Sequence, residues 1–267
     1  MASTSFRVLA TAEHIAQLQA EGGRLAATAE VLTLGLPVPA CPDWSLRDLL
    51  RHIGYVHRWA TRYVTDGQRE RVPRLDETAV LAQDIPDAAL LDWFRAGHAA
   101  LVSALAAADP ELACWSFLPA PSPLAFWARR QAHETTIHRV DVQLAAAAVQ
   151  PGRPVTPVPA ALATDGLDEL LMGFARRGAR HGPRSDPPRA LFIDAGTARW
   201  VVRMGPERAE VDRGWDGPAG PGDCTVTGPA PELYLLLWNR RDAAGLDVTG
   251  DPGALAQFRR DVRVTWG

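Results

Sequence analysis

Residues 129–143 read RRQAHETTIHRVDVQ. His133-Glu134 followed by His138 suggests at first the zinc-protease pattern H-E-x-x-H. That pattern puts its two histidines four residues apart on one helical face. Here they are five apart, so the stretch has to be read in its own helical register.

Ser122-Pro123 ahead of it is a helix start, an N-cap residue followed by proline in the first turn. The spacing predicts a helix over 123–148. At about 100° per residue, Glu134 and His138 lie about 40° apart, one turn from each other. Trp127, Arg130 and Asp141 fall on the same stripe. His133 sits about 100° round, with Phe126, Ile137, Val140 and Leu144. Gln131, Thr135, Arg139 and Gln143 lie further round. The stripe Arg130-Glu134-His138-Asp141 has two readings. One is a solvated face with i,i+4 pairs such as Arg130–Glu134. The other makes Glu134 and His138 two ligands of one metal, of the kind bundle interiors build from facing helices. His133 reads as a packed, hydrogen-bonded histidine, which argues against the protease.

Outward from this helix, three more precede it. Residues 11–34 carry leucine and isoleucine at helical spacing and stop at Gly35. A second helix starts at Ser45, with Asp48 three residues on as a variant capping box. A third covers 87–108. The segment around 66–86 reads as a long polar loop. Four amphipathic helices define an up-down, all-α bundle over residues 1–150. VQPGRPVTPVPA (149–160) then carries four prolines, which block helix continuation, and reads as a linker. Beyond it, 160–178 looks helical. RALFIDA (189–195) and ARWVVRM (198–204) look like strands across a Gly-Thr turn, with shorter strands near 208–212 and 224–227. Helices follow over 231–241 and 251–262. The fold class is therefore mixed: the bundle plus a small α+β domain over 151–267.

Bulk properties narrow the function. The 267 residues are 47% hydrophobic and 22% charged, ordinary globular values. A net charge of −3 carries no basic surplus for nucleic acid or an anionic membrane. No run of about 18 apolar residues exists and no signal peptide is indicated. Cys41, Cys114 and Cys224 form neither a C-x-x-C nor an even disulfide framework, which fits a reduced cytoplasm. All 28 basic residues are arginine, which reads as GC-rich coding.

A metal on Glu134 and His138 needs a third ligand. His52 lies mid-helix beside Leu49, Leu50 and Ile53, near the core, where an unpaired imidazole is costly. It is either a hydrogen-bonded core histidine or a ligand, and Asp48, one turn before it, could hold its second nitrogen. His57 is about 140° further round and reads as exposed. His14, His98 and His181 have no supporting context. Cys41 is a thiolate candidate, but stands before the helix beside Pro42.

CPDWSLRDLLRHIGYVHRW, followed about 70 residues later by FWARRQAHETTIHRVD, resembles the mycothiol-dependent maleylpyruvate isomerase family of DinB-like four-helix bundles. LYLLLWNRRDAAGLDVTGDPGALAQF resembles that family's C-terminal domain, similar to a sterol-carrier-protein fold. The resemblance implies zinc, or another divalent metal, held by His52, Glu134 and His138. It implies mycothiol as thiol cofactor or co-substrate and an actinobacterial source. It also implies a functional arginine at Arg240, with Arg241 as the rival assignment. Arg130, Asp141 and Asp48 are then substrate-binding or supporting residues.

Two histidines and a carboxylate leave an open position, the mark of a catalytic site. The expected activity is cis-trans isomerisation or S-transfer on a small, activated, anionic substrate with a low-molecular-weight thiol. The alternatives are a metal-dependent hydrolase, or a non-catalytic metal- or ligand-binding protein.

Overall fold

The computed structural model describes residues 7–71, 78–79, 84–176, 182–215, 220 and 222–264. The chain divides into two compact units, one spanning Ala10–Thr156 and the other beginning at Pro157 and taking in residues 7–9. His181 and much of the 66–86 loop lie outside the described residues.

The first unit is a helical bundle. Its helices are α1 (Thr11–Ala29), α2 (Leu46–Asp66), α3 (Asp87–Ala107) and α4 (Pro123–Val149). Helices α2 and α4 begin or end where local chemistry dictates. Ser45 caps α2, accepting from the backbone N–H of Asp48 while the Asp48 carboxylate accepts from the Ser45 backbone N–H, a reciprocal capping box. Gly67 ends α2 in the left-handed conformation with φ 58°, which glycine adopts without a Cβ penalty. Ser122 caps α4, and Pro123 takes the first-turn position, where its missing N–H costs nothing. The first helix stops at Ala29, short of the predicted 34, because the chain turns there to reach Ser45.

Packing of α4 on α1, and of α2 on α3, dominates the unit. Gly54 of α2 sits flush against the Trp93 ring, so any side chain there would drive these helices apart. Leu25, Leu49, Leu50, Ile53, Phe94 and Val142 form the shared core. A second, aromatic cluster joins Trp59, Tyr63, Trp115, Phe117, Phe126 and Trp127, with Tyr63 stacked on Trp127 at 4.8 Å. Most of α4 is buried on both faces. The stripe Arg130-Glu134-His138-Asp141 is thus buried, against the solvated one of its two readings, because α4 has α1 on one side and α2 on another.

In the second unit, α5 (Ala160–Asp168) runs into a π-helical segment, Glu169–Ala175. Five strands follow as one sheet ordered β3-β2-β1-β4-β5. They are β1 (Arg189–Asp194), β2 (Arg199–Met204), β3 (Ala209–Arg213), β4 (Cys224–Thr227) and β5 (Asp247–Gly250). Only the β1–β4 pair is parallel. Strand β5 had no counterpart in the sequence reading: DVTG is short and largely exposed, an edge strand without apolar alternation. Helices α6 (Ala230–Leu237) and α7 (Pro252–Asp261) complete the α+β unit. Among the described residues, no helix is long and apolar enough to cross a membrane.

Candidate metal centre

The register of α4 puts Glu134 and His138 side by side, and α2 brings His52 to the same point. His52 Nε2 is 3.4 Å from Glu134 Oε1, and His138 Nε2 is 3.5 Å from that same oxygen. All three residues are buried. Zinc bonds of about 2.0–2.1 Å in a tetrahedron put neighbouring donors about 3.3–3.4 Å apart. The two measured edges match that spacing, and the donor set, two imidazoles and a carboxylate, is one zinc accepts.

The remaining polar atoms of Glu134 and His138 are turned to other partners. Arg130 Nη2 donates to Glu134 Oε2 at 2.8 Å, which leaves Oε1 facing the histidines. His138 Nδ1 lies 3.0 Å from Asp141 Oδ2. An Nδ1–H donated to that carboxylate leaves the Nε2 lone pair toward the cluster, the usual support of a ligating histidine. Arg130 is 3% exposed and Asp141 0%, so neither is a surface charge.

The electrostatics follow this layout. Burial raises the Glu134 pKa, but Arg130, His138 and His52 outweigh it and hold the carboxyl well below its usual range. Burial lowers the pKa of His138, and the Asp141 hydrogen bond, Cys41 and Glu134 reverse that and raise it well above the ordinary histidine value. Without metal, His138 is thus a cation between two carboxylates.

Two expectations change. Asp48 serves the cap of α2: its Oδ2 accepts from both the backbone N–H and the Oγ of Ser45, rather than holding His52. His57, expected exposed, is fully buried, because its side of α2 faces α3 and α4. Its Nε2 is 2.9 Å from Thr135 Oγ1, and burial, then His98, press its pKa well below the ordinary value. Cys41 comes within 3.6 Å of Asp141 Oδ2 and forms a compact group with His138 and Asp141. His133 packs against His14 with ring centroids 6.0 Å apart.

Sequence reasoning missed Trp44. Its indole lies 4.8 Å from the His52 ring and 6.3 Å from that of His138, nearly parallel to the latter. The available signal was an aromatic residue one place before the cap of the helix carrying His52.

In the second unit, α6 ends at Leu237, and Asn239 just beyond it, with a left-handed φ of 62°, turns the chain so that Arg240 N–H reaches Leu235 O at 2.7 Å. The half-buried Arg240 side chain donates to Trp238 O at 2.8 Å. Arg241 folds onto Glu232 and the carbonyls of Asp242 and Ala244.

The architecture, a helical bundle bearing a His/Glu/His cluster joined to an α+β unit, defines the class. Residues 17–143 match the mycothiol maleylpyruvate isomerase N-terminal domain and 161–257 the C-terminal domain of the same enzymes. The chain belongs to the mycothiol-dependent maleylpyruvate isomerase family and is an isomerase-type enzyme. A crystal structure of the mycothiol-dependent maleylpyruvate isomerase superposes with a TM-score of 0.63 at 13% identity, over 90% of this chain and 93% of that one. A histidine-to-alanine variant of that enzyme gives 0.64 at 12% identity over the same shares. No curated protein sequence matches the chain.

Proposed function

We propose that the protein is a zinc- and thiol-dependent enzyme, a cis-trans isomerase or S-transferase, that uses mycothiol on a small, activated, anionic substrate. The observation that carries this reading is the convergence of His52 Nε2 and His138 Nε2 on Glu134 Oε1, at 3.4 and 3.5 Å. Family membership supports the thiol.

His52, Glu134 and His138 would hold the metal. Zinc in such a set stabilises a thiolate at neutral pH. Arg130 keeps Glu134 ionised and fixes which oxygen faces the histidines. Asp141 holds the His138 proton at Nδ1. Trp44, over both imidazoles, limits water beside them. The thiol's sulfur forms a bond to one carbon of a conjugated double bond, and the π pair moves to the activating carbonyl. The resulting single bond rotates. Reversal breaks the S–C bond and gives the other geometric isomer, whereas protonation at the adjacent carbon leaves the thioether. Arg240 is proposed for the substrate's anionic oxygen, as a guanidinium suited to carboxylate.

Hydrolysis by activated water needs a nearby base. Asp141 Oδ2 is already engaged by His138 and Cys41, and His133 packs against His14, so the layout favours the thiol reading. Incubating the zinc-loaded protein with maleylpyruvate, with and without mycothiol, tests it. Turnover that requires the thiol supports the proposal. Turnover without thiol would establish hydrolysis or thiol-independent isomerisation, and tight zinc binding with neither would leave a binding protein.

A further inference from the structure

The segment between α1 and α2 is irregular but firmly tied. Pro37 and Ser45 form a β-bridge. Leu46 N–H reaches Leu36 O at 2.8 Å, Val38 N–H reaches Trp44 O at 2.9 Å, Cys41 N–H reaches Val38 O at 3.0 Å, and Trp44 N–H reaches Cys41 O at 3.1 Å. Asp43 adopts φ 70°, a left-handed conformation that aspartate tolerates better than most side chains. The result is a tight Cys-Pro-Asp-Trp turn that presents two side chains to the bundle interior. Trp44 covers the histidines, and Cys41 points at Asp141.

The Cys41 thiol lies 3.6 Å from Asp141 Oδ2, the same oxygen that sits 3.0 Å from His138 Nδ1. An ionised carboxylate only accepts hydrogen bonds, so the S–H and the Nδ1–H both donate to it. Asp141 is fully buried, and a buried carboxylate that loses a donor is costly and shifts to find another. Supporting residues of this kind set the orientation and basicity of a ligating histidine.

We infer that Cys41 is a positioning residue of the metal centre: its thiol anchors Asp141, and Asp141 in turn fixes the tautomer and direction of His138. This rests on the metal reading above. The geometry gives the half-buried thiol a hydrogen-bonding role at this carboxylate, within the compact Cys41–His138–Asp141 group.

Zinc affinity, measured by competition with a chromophoric chelator, tests the inference on four proteins. Cys41→Val keeps the volume against the apolar core and removes the donor. Cys41→Ser keeps a donor. His52→Ala removes a ligand. The expected result is a zinc Kd about 3–10-fold weaker for Cys41→Val, within about 2-fold of wild type for Cys41→Ser, and at least about 100-fold weaker for His52→Ala. The Nδ1–H resonance of His138 in the zinc-loaded protein should move in the valine variant and hold its position in the serine variant. Wild-type affinity in Cys41→Val, alongside loss in His52→Ala, would overturn the role of Cys41 alone. Equal weakening in the valine and serine variants would also overturn it, since packing would then be the cause. Unchanged affinity in His52→Ala would remove the metal reading and this inference with it.

Discussion

Arg130 Nη2 lies 2.8 Å from Glu134 Oε2 across one turn of α4, and both side chains are buried. The pair accounts for a carboxylate that stays ionised inside the bundle. It also decides which oxygen faces the histidines. Arg130→Met removes the compensating charge, so the Glu134 pKa rises and protons compete with zinc. Zinc affinity should fall about 10-fold near neutral pH and further as the pH is lowered toward 5.5. A chelator competition series across pH checks this, and a variant with wild-type affinity at every pH would contradict it.

His138 predicts proton release on metal loading. Without metal its pKa lies well above the ordinary value, so near neutral pH it carries two ring protons. A ligating nitrogen must lose its proton. Zinc binding should then release roughly one proton from His138 at pH 7. Calorimetry in buffers of different ionisation enthalpy measures this. Zinc binding with no buffer dependence would contradict the assignment.

The sign for the folded metal-free protein follows from the same residue. A raised pKa contributes stability fully below the unfolded value of about 6.5 and loses it as the pH rises through the folded value. His57 acts the other way. Burial and His98 lower its pKa, so its contribution is complete above about 6.5 and is lost as the pH falls. Urea denaturation of the metal-free protein at pH 7.5 and 5.5 should show that His57→Gln shifts the balance toward stability at the lower pH, relative to wild type. An identical pH dependence in both proteins would count against this.

Glu21 and Arg139 form a fully buried ion pair, with Arg139 Nε 2.6 Å from Glu21 Oε2. Arg139 also binds Gln143 and the Thr156 carbonyl, so the pair pins α1 to α4. Breaking a buried pair leaves an uncompensated charge. Glu21→Ala should cost about 3–5 kcal/mol in a urea titration, and a cost below about 1 kcal/mol would show the pair to be idle.

What the sequence made legible followed from periodicity. One helical turn pairs Glu134 with His138, and Ser45 with Asp48 marks a helix start, so the bundle and two of the three cluster residues could be read directly. His57 went wrong because a helical wheel shows relative direction but not how many neighbours surround the helix; α2 is enclosed on that side too. Cys41 and Trp44 stand in an irregular turn without periodicity, and Cys41 meets Asp141 only through a separation of 100 residues. Glu21 and Arg139 are 118 apart, and nothing local announces their pairing. His52 was open on residue chemistry alone, and the family resemblance singled it out.

Metal content is the most direct measurement. Zinc should be determined after equilibration and desalting in the wild type and in His52→Ala, Glu134→Ala, His138→Ala and His133→Ala. Stoichiometric zinc is expected in the wild type and in His133→Ala, with loss in the other three. Full retention in all three would contradict the His52–Glu134–His138 centre, and loss in His133→Ala alone would move the metal to the other face of α4.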